Sequence, residues 1–166
     1  MKRPWNRPDY AVWSLSTKDQ SGKYNMNICT YVTAISMKPK QFAIAVYKGT
    51  KTYENIQKSN TVILQLLGEH QSDVVRNLGK SSGFDKDKVA IVDKKHPIIF
   101  TQDMAIISDS LGYCIIEYNQ IIETGGDHDL IIGNVVSYKN LNEGEVLTTK
   151  KLAELGDAEA QSKLGK

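Results

Sequence analysis

A short polar loop in the N-terminal half of the chain has the chemistry to bind a phosphate group. It consists of Lys48, Gly49, Thr50, Lys51 and Thr52, and a segment of helix-compatible residues follows it directly. Hydroxyl groups and the free N–H groups at a helix N-terminus donate hydrogen bonds to an anion, and lysine supplies positive charge. An ordinary solvated turn with a threonine N-cap would use the same residue types. Both interpretations stay open, because the loop matches no glycine-rich phosphate-binding motif.

A second candidate is the sequence GGDH, which comes directly before an apolar segment in the C-terminal half. Two glycines allow a tight turn, and they place the titratable His128 at the start of that segment. His128 could face a ligand there, and the adjacent Asp127 could orient its ring. A hairpin turn in which both side chains only bond nearby backbone groups explains the same residues. On these residues alone, the hairpin turn is favoured.

The remaining histidines and the two cysteines suggest no metal site. Cys29 and Cys114 each lie within an apolar segment, which is typical of a small buried side chain rather than a disulfide or a metal ligand. His70 precedes a predicted helix, and His96 lies in a charged turn. Because the His, Cys and carboxylate residues lack the spacing of metal ligands, no metal site is predicted.

The hydrophobic pattern predicts many short strands with a few helices between them. Residues 26–33 alternate with a period of two, and residues 42–47 form an apolar run typical of a strand covered on both faces. The other predicted strands are residues 10–16, 61–67, 98–100, 105–108, 113–118 with an extension at 121–122, and 130–136. The predicted helices are residues 50–59, 71–78 and the segment from 148 with a break at Gly156, whereas residues 1–9 and 80–95 are predicted to be mostly irregular. We therefore expect a mainly β fold with inserted helices, an antiparallel barrel rather than a doubly wound parallel sheet.

Length and composition predict one ordinary globular domain. The 166 residues are expected to form a single domain, residues 1–166, with a core over about residues 10–140 and a C-terminal helical segment at 148–166. A formal net charge of +2 is too small to indicate nucleic acid or an anionic membrane as a partner. The basic N-terminus lacks the apolar core of a signal peptide, and no apolar run approaches bilayer length. We therefore expect a cytoplasmic protein.

Four segments, taken in order, resemble the flavin reductase-like, FMN-binding split-barrel family. Residues 33–39 are similar to its T-x-x-S-x-x-P segment, and residues 48–52 to its basic, hydroxyl-containing phosphate loop. Residues 82–88 (SGFDKDK) are similar to its S-G-x-D-x-D-K loop, and residues 126–136 to its G-D-H-x-x-x-x-G-x-V signature. Each segment is a weak signal alone, but their order over most of the chain makes the set specific.

The chain departs from the family pattern at three positions. Lys40 follows Pro39 where many members carry a second proline, and Val89 stands where an aromatic residue often follows the lysine. Tyr31 stands where a small residue is common. The Tyr31 departure matters most, because this residue lies on the face expected to meet the ring system of the flavin.

The resemblance implies an antiparallel Greek-key split barrel that binds FMN at the interface of a homodimer. The phosphate of FMN would lie at the start of the helix at residues 50–52, and the isoalloxazine ring along residues 30–33. The implied cofactor-binding residues are Thr30, Tyr31, Val32, Thr33, Ser36, Lys48, Gly49, Thr50, Lys51 and Thr52. His128 resembles the family histidine near the nicotinamide, so we expect it to orient that ring. The loop at residues 82–88 would close over the pyridine nucleotide, with Lys86 or Lys88 meeting its phosphates.

The implied function is that of an NAD(P)H-dependent flavin reductase, which transfers a hydride from NADH or NADPH to FMN. The reduced flavin or its electrons would then pass to a monooxygenase or to another redox protein. One alternative is a flavoredoxin-like electron carrier that holds FMN firmly and turns over NAD(P)H poorly. A second alternative is a split barrel that binds another ligand and has no enzymatic activity. No nucleic acid or membrane partner is expected.

Overall fold

The computed structural model describes residues 3–164, with side chains described as far as Gly156. Nine strands and four α-helices occur in this part of the chain. The strands are β1 (Trp13–Lys18), β2 (Tyr24–Cys29), β3 (Val32–Met37), β4 (Lys40–Tyr47), β5 (Thr61–Leu66), β6 (Ile98–Thr101), β7 (Met104–Ile107), β8 (Gly112–Ile122) and β9 (His128–Asn140). The α-helices are α1 (Lys51–Ile56), α2 (Ser72–Gly79), α3 (Lys88–Asp93) and α4 (Thr149–Leu164), and short 3-10 turns occur at Pro4–Asn6 and Glu69–Gln71.

Seven strands form one antiparallel sheet that curls into a barrel. Their order is β2-β1-β5-β8-β9-β4-β3, and β6 and β7 form a separate hairpin. Leu15 of β1 and Ile44 of β4 lie far apart in this order, yet both belong to one buried cluster with Ile116 of β8. The sheet must therefore bend so that its two ends face each other. The expected mainly β fold with inserted helices is confirmed.

A second hydrophobic core lies between the barrel and the helices α2 and α3. Met26 of β2 packs there with Val74 and Leu78 of α2 and with Val92 of α3. Apolar residues on one face of each helix drive this packing, since burying their surface is favourable. The segment between α2 and α3 is thereby held beside β2, where the candidate site lies.

The alternating segment at residues 26–33 is interrupted rather than continuous. β2 ends at Cys29, β3 begins at Val32, and Thr30 and Tyr31 connect them. The reason is topological, because β2 pairs with β1 at one end of the sheet and β3 pairs with β4 at the other. Thr30 and Tyr31 therefore cross the gap between the two ends of the sheet.

The helix predictions need one addition and one correction. Residues 80–95 are mostly irregular, as predicted, but they also contain α3, which begins after Asp87, whose Oδ1 accepts a hydrogen bond from the Ala90 N–H at 3.0 Å. This N-cap and the buried Val89 and Val92 stabilise the helix. The C-terminal helix is not broken at Gly156, since α4 runs through that residue. A glycine inside a helix lowers its stability by only about 1 kcal/mol relative to alanine, which neighbouring residues can offset.

The other predicted elements agree with the structure within a few residues. β8 continues through residues 121–122 after a register shift between Tyr118 and Ile121, so the predicted extension is confirmed. The predicted domain limits, residues 1–166, reach beyond the described residues at both ends. No helix in the described part of the chain combines the length and apolarity needed to cross a bilayer.

Candidate functional site

A cavity of about 250 Å³ lies in the gap between the two ends of the curled sheet. β2 contributes Ile28 and Cys29 to one wall, and β4 contributes Val46 and Tyr47 to the other. Thr30, Tyr31, Thr52 and His128 complete the lining around the entrance. Its floor is apolar, whereas its rim carries hydroxyl groups, aromatic rings and an imidazole. Such a site suits a planar heterocycle that needs a few polar contacts at its edge.

His128 is held at this rim by two tyrosines and one carboxylate. The centroid of its ring lies 5.4 Å from that of Tyr31 and 5.3 Å from that of Tyr47. Its Nδ1 lies 2.7 Å from Oδ1 of Asp127, and this hydrogen bond holds the pKa of the Asp127 carboxyl below its ordinary value. Since a carboxylate only accepts, Nδ1 carries the proton, and the orientation of the ring is fixed.

Cys29 lines the cavity but is no nucleophile. Burial raises the pKa of its thiol to about 12, so the neutral form dominates at physiological pH. The expected role as a small apolar side chain fits this environment.

A second cleft, of about 350 Å³, joins the cavity on the side of the polar loop. Asn27, Tyr47 and Thr52 line both spaces, so the two are adjacent. The walls of the cleft are the loop before α1, the edge of β2 and the segment between α2 and α3. A ligand with a ring in the cavity could therefore extend a polar chain into the cleft.

The polar loop is stabilised by its own side chains. Oγ1 of Thr50 accepts a hydrogen bond from the Tyr53 N–H at 3.1 Å and donates one to the Tyr47 carbonyl at 2.8 Å, which makes Thr50 the N-cap of α1. Nζ of Lys51 lies 2.9 Å from a Glu54 oxygen and 3.5 Å from an Asp19 oxygen. These carboxylates, Glu54 first, raise the pKa of Lys51 and balance its charge.

Lys48 is bound to the buried carboxylate of Asp129 rather than exposed to the cleft. The two atoms Lys48 Nζ and Asp129 Oδ1 lie 3.1 Å apart, and Asp129 is only 1% exposed. Asp129 also accepts hydrogen bonds from the Tyr53 hydroxyl at 2.7 Å and the Thr124 N–H at 3.0 Å. These contacts lower the pKa of Asp129 and tie the polar loop to the start of β9, beside His128.

Lys88 presents a different electrostatic situation at the back of the cleft. It is 5% exposed, and within the described residues its side chain makes a hydrogen bond of 3.4 Å between Nζ and Oδ1 of Asn27. No carboxylate pairs with it among the described residues, and burial lowers the pKa of its ammonium group. A buried charge without a partner is unfavourable, so this position suits an anionic ligand.

The loop between α2 and α3 closes the cleft directly over the polar residues. A Cβ atom added at Gly83 would overlap Oδ1 of Asn25 and lie 2.9 Å from Cβ of Lys51. Oδ1 of Asn25 is itself buried and accepts no hydrogen bond within the described residues. The aromatic ring of Phe84 lies 5.8 Å from Nζ of Lys51, which places a second contact across the cleft. Only glycine fits at position 83 with the loop in this position.

A family model described as the flavin reductase like domain matches residues 6–154. The chain belongs to this family. The resemblance noted from the four sequence segments is thereby confirmed. A curated relative from Rhizobium meliloti (strain 1021), named "Probable flavin reductase", is 25% identical over 130 residues. The match covers 78% of this chain but 40% of the relative, so this domain spans less than half of that protein.

Solved structures share the split-barrel fold of this flavin reductase-like domain. An FMN-binding protein from Thermus thermophilus with bound 1-cyclohex-2-enone has a TM-score of 0.72 and 18% identity, with 84% of this chain and 75% of that chain covered. An NADH:FAD oxidoreductase from Streptomyces globisporus, in complex with NAD and FAD fragments, has a TM-score of 0.75 and 16% identity, with 88% and 84% covered. At sequence identities as low as these, the structural similarity establishes a shared fold and nothing more.

The structure of the flavin reductase-like domain divides the predicted site residues into three groups. Thr30, Tyr31, Thr52 and His128 line the cavity, and Gly49, Thr50, Lys51 and Thr52 line the cleft. Val32, Thr33, Ser36 and Lys48 line neither space: Val32 packs against the barrel core, Thr33 is exposed, and Ser36 lies at a bulge of β3. Sequence reasoning missed Asn25, Asn27 and Tyr47, because neighbouring strands and loops bring them to the site and no motif marks them.

Proposed function

We propose that this domain binds FMN in the split of its barrel and reduces it with a hydride from NADH or NADPH. The observation that carries the proposal is the buried ammonium of Lys88, which has no carboxylate partner in the described chain and lines a cleft adjacent to the cavity. A flavin mononucleotide combines a planar ring with a phosphate dianion on a polar chain. Its shape and charge therefore match the cavity and the cleft together.

The residues of the cleft would hold the phosphate by charge and by backbone donors. Lys88 would supply the positive charge, and the first N–H groups of α1, at Lys51 and Thr52, would donate hydrogen bonds. Lys48 and Lys51 would act mainly by holding the loop in place, since their own charges are balanced by Asp129, Asp19 and Glu54. FMN is favoured over FAD because the loop at Gly83 closes the cleft over Asn25 and Lys51.

The residues of the cavity would orient the reacting rings. Bound flavin supplies the redox chemistry, because it accepts a hydride from a nicotinamide and passes electrons to an acceptor. His128, with its Nδ1 proton held by Asp127, would position the nicotinamide at the rim. The apolar floor formed by Leu15 and Val46 would keep water from the ring. None of these residues needs to transfer a proton for hydride transfer to occur.

We also propose that the domain acts as a homodimer and delivers its electrons to a monooxygenase or another redox protein. Apolar side chains are exposed in the single chain: Tyr31 at the rim of the cavity, and Ile35, Met37, Val136 and Tyr138 further along β3 and β9. A second copy that covered Tyr31 as well would also close the entrance of the cavity.

One observation favours a second candidate, a flavoredoxin-like carrier that exchanges electrons with a protein and turns over NAD(P)H poorly. Tyr31 packs edge-on against His128 at the rim where a nicotinamide would have to stack. If Tyr31 keeps this position, access for a hydride donor is reduced while FMN can still bind below it.

The experiment that tests the proposal is an anaerobic titration of the FMN-loaded protein with NADH and NADPH. FMN should stay with the protein during gel filtration. The visible absorbance of the bound FMN should then bleach when either NADH or NADPH is added. Retention of FMN without bleaching would support the carrier instead. A protein that neither retains FMN nor reduces added FMN with NADH or NADPH would refute both.

A further inference from the structure

A buried histidine outside the flavin site sits between two carboxylates. Nδ1 of His96 lies 2.7 Å from Oδ2 of Asp109, and its Nε2 lies 2.8 Å from Oδ1 of Asp73. Carboxylates only accept hydrogen bonds, and a neutral imidazole has one N–H donor. Both contacts can therefore be made only by the doubly protonated imidazolium, which fixes His96 as a cation.

The His96 contacts join segments that are distant in sequence. Asp73 lies in the first turn of α2, His96 follows the end of α3, and Asp109 lies in the turn between β7 and β8. α2 and α3 form a helical hairpin, so the His96 contacts pin its base to the barrel. The tip of the same hairpin is the loop at residues 80–87, which leads into Lys88 and lines the cleft.

Other charged groups surround this base. Lys95 pairs with Asp73 at 3.3 Å, and Nε2 of His70 lies 3.0 Å from the carbonyl oxygen of Asp109 and 3.8 Å from its carboxylate. The Gln71 amide donates to Oδ1 of Asp109 at 2.8 Å, and Oδ1 of Asp93 accepts from the Ile98 N–H. α2 also carries Arg76. Among these charged groups, His96 contacts the carboxylates of both Asp73 and Asp109.

We propose that His96 is a protonation-dependent clamp that sets how firmly the α2–α3 hairpin closes the flavin cleft. Loss of its proton leaves one ring nitrogen as an acceptor facing a carboxylate, so one of the two contacts must break. The α2–α3 hairpin is then held at its base by one hydrogen bond fewer. The loop at residues 80–87 and Lys88 are therefore held less firmly over the cleft. The link to flavin rests on the function proposed above, whereas the link to the loop does not.

The direction of the pH effect follows from the groups involved. Burial alone would lower the pKa of His96, but its hydrogen bonds to Asp109 and Asp73 outweigh this and raise the pKa above its ordinary value of 6.5. The clamp is therefore complete below about pH 6.5 and is lost as the pH rises through the folded-state pKa. At acidic pH, burial alone would raise the pKa of Asp73, but His96 and Lys95 outweigh this and lower the pKa below its ordinary value of 3.8. The contact between His96 and Asp73 is therefore lost only when the pH falls below 3.8.

The test compares wild type with His96→Gln, which keeps a donor and an acceptor but no charge. We expect the Kd of the wild-type protein for FMN to rise about tenfold between about pH 6 and about pH 9. A tenfold change in Kd corresponds to a difference of about one unit in the pKa of His96 between the FMN-bound and the free protein. His96→Gln should bind FMN at every pH as wild type does at the alkaline end. His70→Gln, the matched control, should keep the wild-type profile. Parallel pH profiles for wild type and His96→Gln would overturn the proposal.

A readout without flavin separates this proposal from the proposed function. The pKa of His96 is first measured by NMR of its imidazole ring in the apo wild-type protein. As the pH rises through that pKa, trypsin should cleave the same protein faster after Lys80 and Lys86. Cleavage rates are corrected for the pH dependence of trypsin on an unfolded peptide. A constant corrected rate, or a His96 pKa that is not raised, would overturn the clamp even if His96→Gln fails to fold. Absence of FMN binding with a pH-dependent loop would refute the proposed function alone.

Discussion

Two lysines in the same cleft illustrate how local charge decides function. Lys51 has carboxylates of Asp19 and Glu54 beside it, whereas Lys88 is buried with a single amide oxygen as its partner. The two lysines look alike in the sequence. The burial of Lys88 and the absence of a carboxylate near it among the described residues are the reasons why we propose Lys88, rather than Lys51, as the main anion ligand.

Replacing Lys88 with methionine should separate binding from stability. We expect Lys88→Met to weaken FMN binding by about 1.5–3 kcal/mol, the loss expected for a hydrogen bond to a charged group. The melting temperature of the apo protein should stay equal or rise, because an unpaired buried charge is removed. Lys86→Met, an exposed change in the same loop, is the control. Fluorescence titration measures the FMN affinity, and thermal melting measures the stability. Equal FMN affinity in wild type, Lys88→Met and Lys86→Met would contradict the assignment of Lys88 as the phosphate ligand.

His128 should affect reduction rather than FMN binding. We expect His128→Ala to lower kcat/KM for NADH about 10- to 100-fold, since misplacing the reacting ring slows transfer strongly. The Kd for FMN should change little, because the phosphate contacts remain. Anaerobic stopped-flow kinetics measure the first quantity and fluorescence titration the second. A variant that reduces FMN as fast as wild type would show that His128 has no orienting role.

At the scale of the elements, the loop between α2 and α3 depends on glycine at one position. Gly83→Ala would place a methyl group against Asn25 and Lys51, so the loop must shift and open the cleft. We expect FMN binding to weaken by about 1–3 kcal/mol, the usual effect of overpacking. The matched control is Gly79→Ala, because a Cβ at Gly79 meets nothing within 4 Å. Similar FMN affinity in the two variants would show that this loop does not close the site.

The elements themselves were largely predictable, and the reasons for the exceptions are specific. Alternation predicted a strand at residues 26–33, but which strands pair is a long-range property, so the crossing at Thr30 and Tyr31 was not visible. The many charges at residues 80–95 concealed α3, whose one local signal is Asp87 as N-cap before Val89 and Val92. His96 was assigned to a charged turn because its partners, Asp73 and Asp109, are 23 and 13 residues away.

At the scale of the whole molecule, the proposed dimer can be tested through its exposed apolar residues. Met37 of β3 is 86% exposed, and a charge there should oppose association without disturbing the core. We expect Met37→Asp to convert a dimer to a monomer in light scattering and to weaken FMN binding. Ile99→Asp is the control, because Ile99 is also exposed, at 42%, but lies on the separate β6–β7 hairpin. Dimers in both variants would exclude this face as the interface.

The family and the general fold could also be predicted from four short segments, whereas the site could be predicted only in part. The segments pointed to the polar loop and to His128, which line the cleft and the cavity of the candidate site. They did not reveal that Lys48 is bound to Asp129 or that Asn25 and Asn27 line the cleft. Such pairings depend on which strands become neighbours, which a local pattern does not encode.

The strand order has a consequence for the time course of folding. β3 and β4 join the rest of the sheet only through β9, in a register that pairs Ala45 with Leu130. Contacts between residues so far apart in the chain form slowly, because a long loop must close before they stabilise anything. During synthesis, the two walls of the cavity are made early but cannot be held together until β8 and β9 have emerged. The gap that could receive a flavin is therefore among the last parts of the molecule to form.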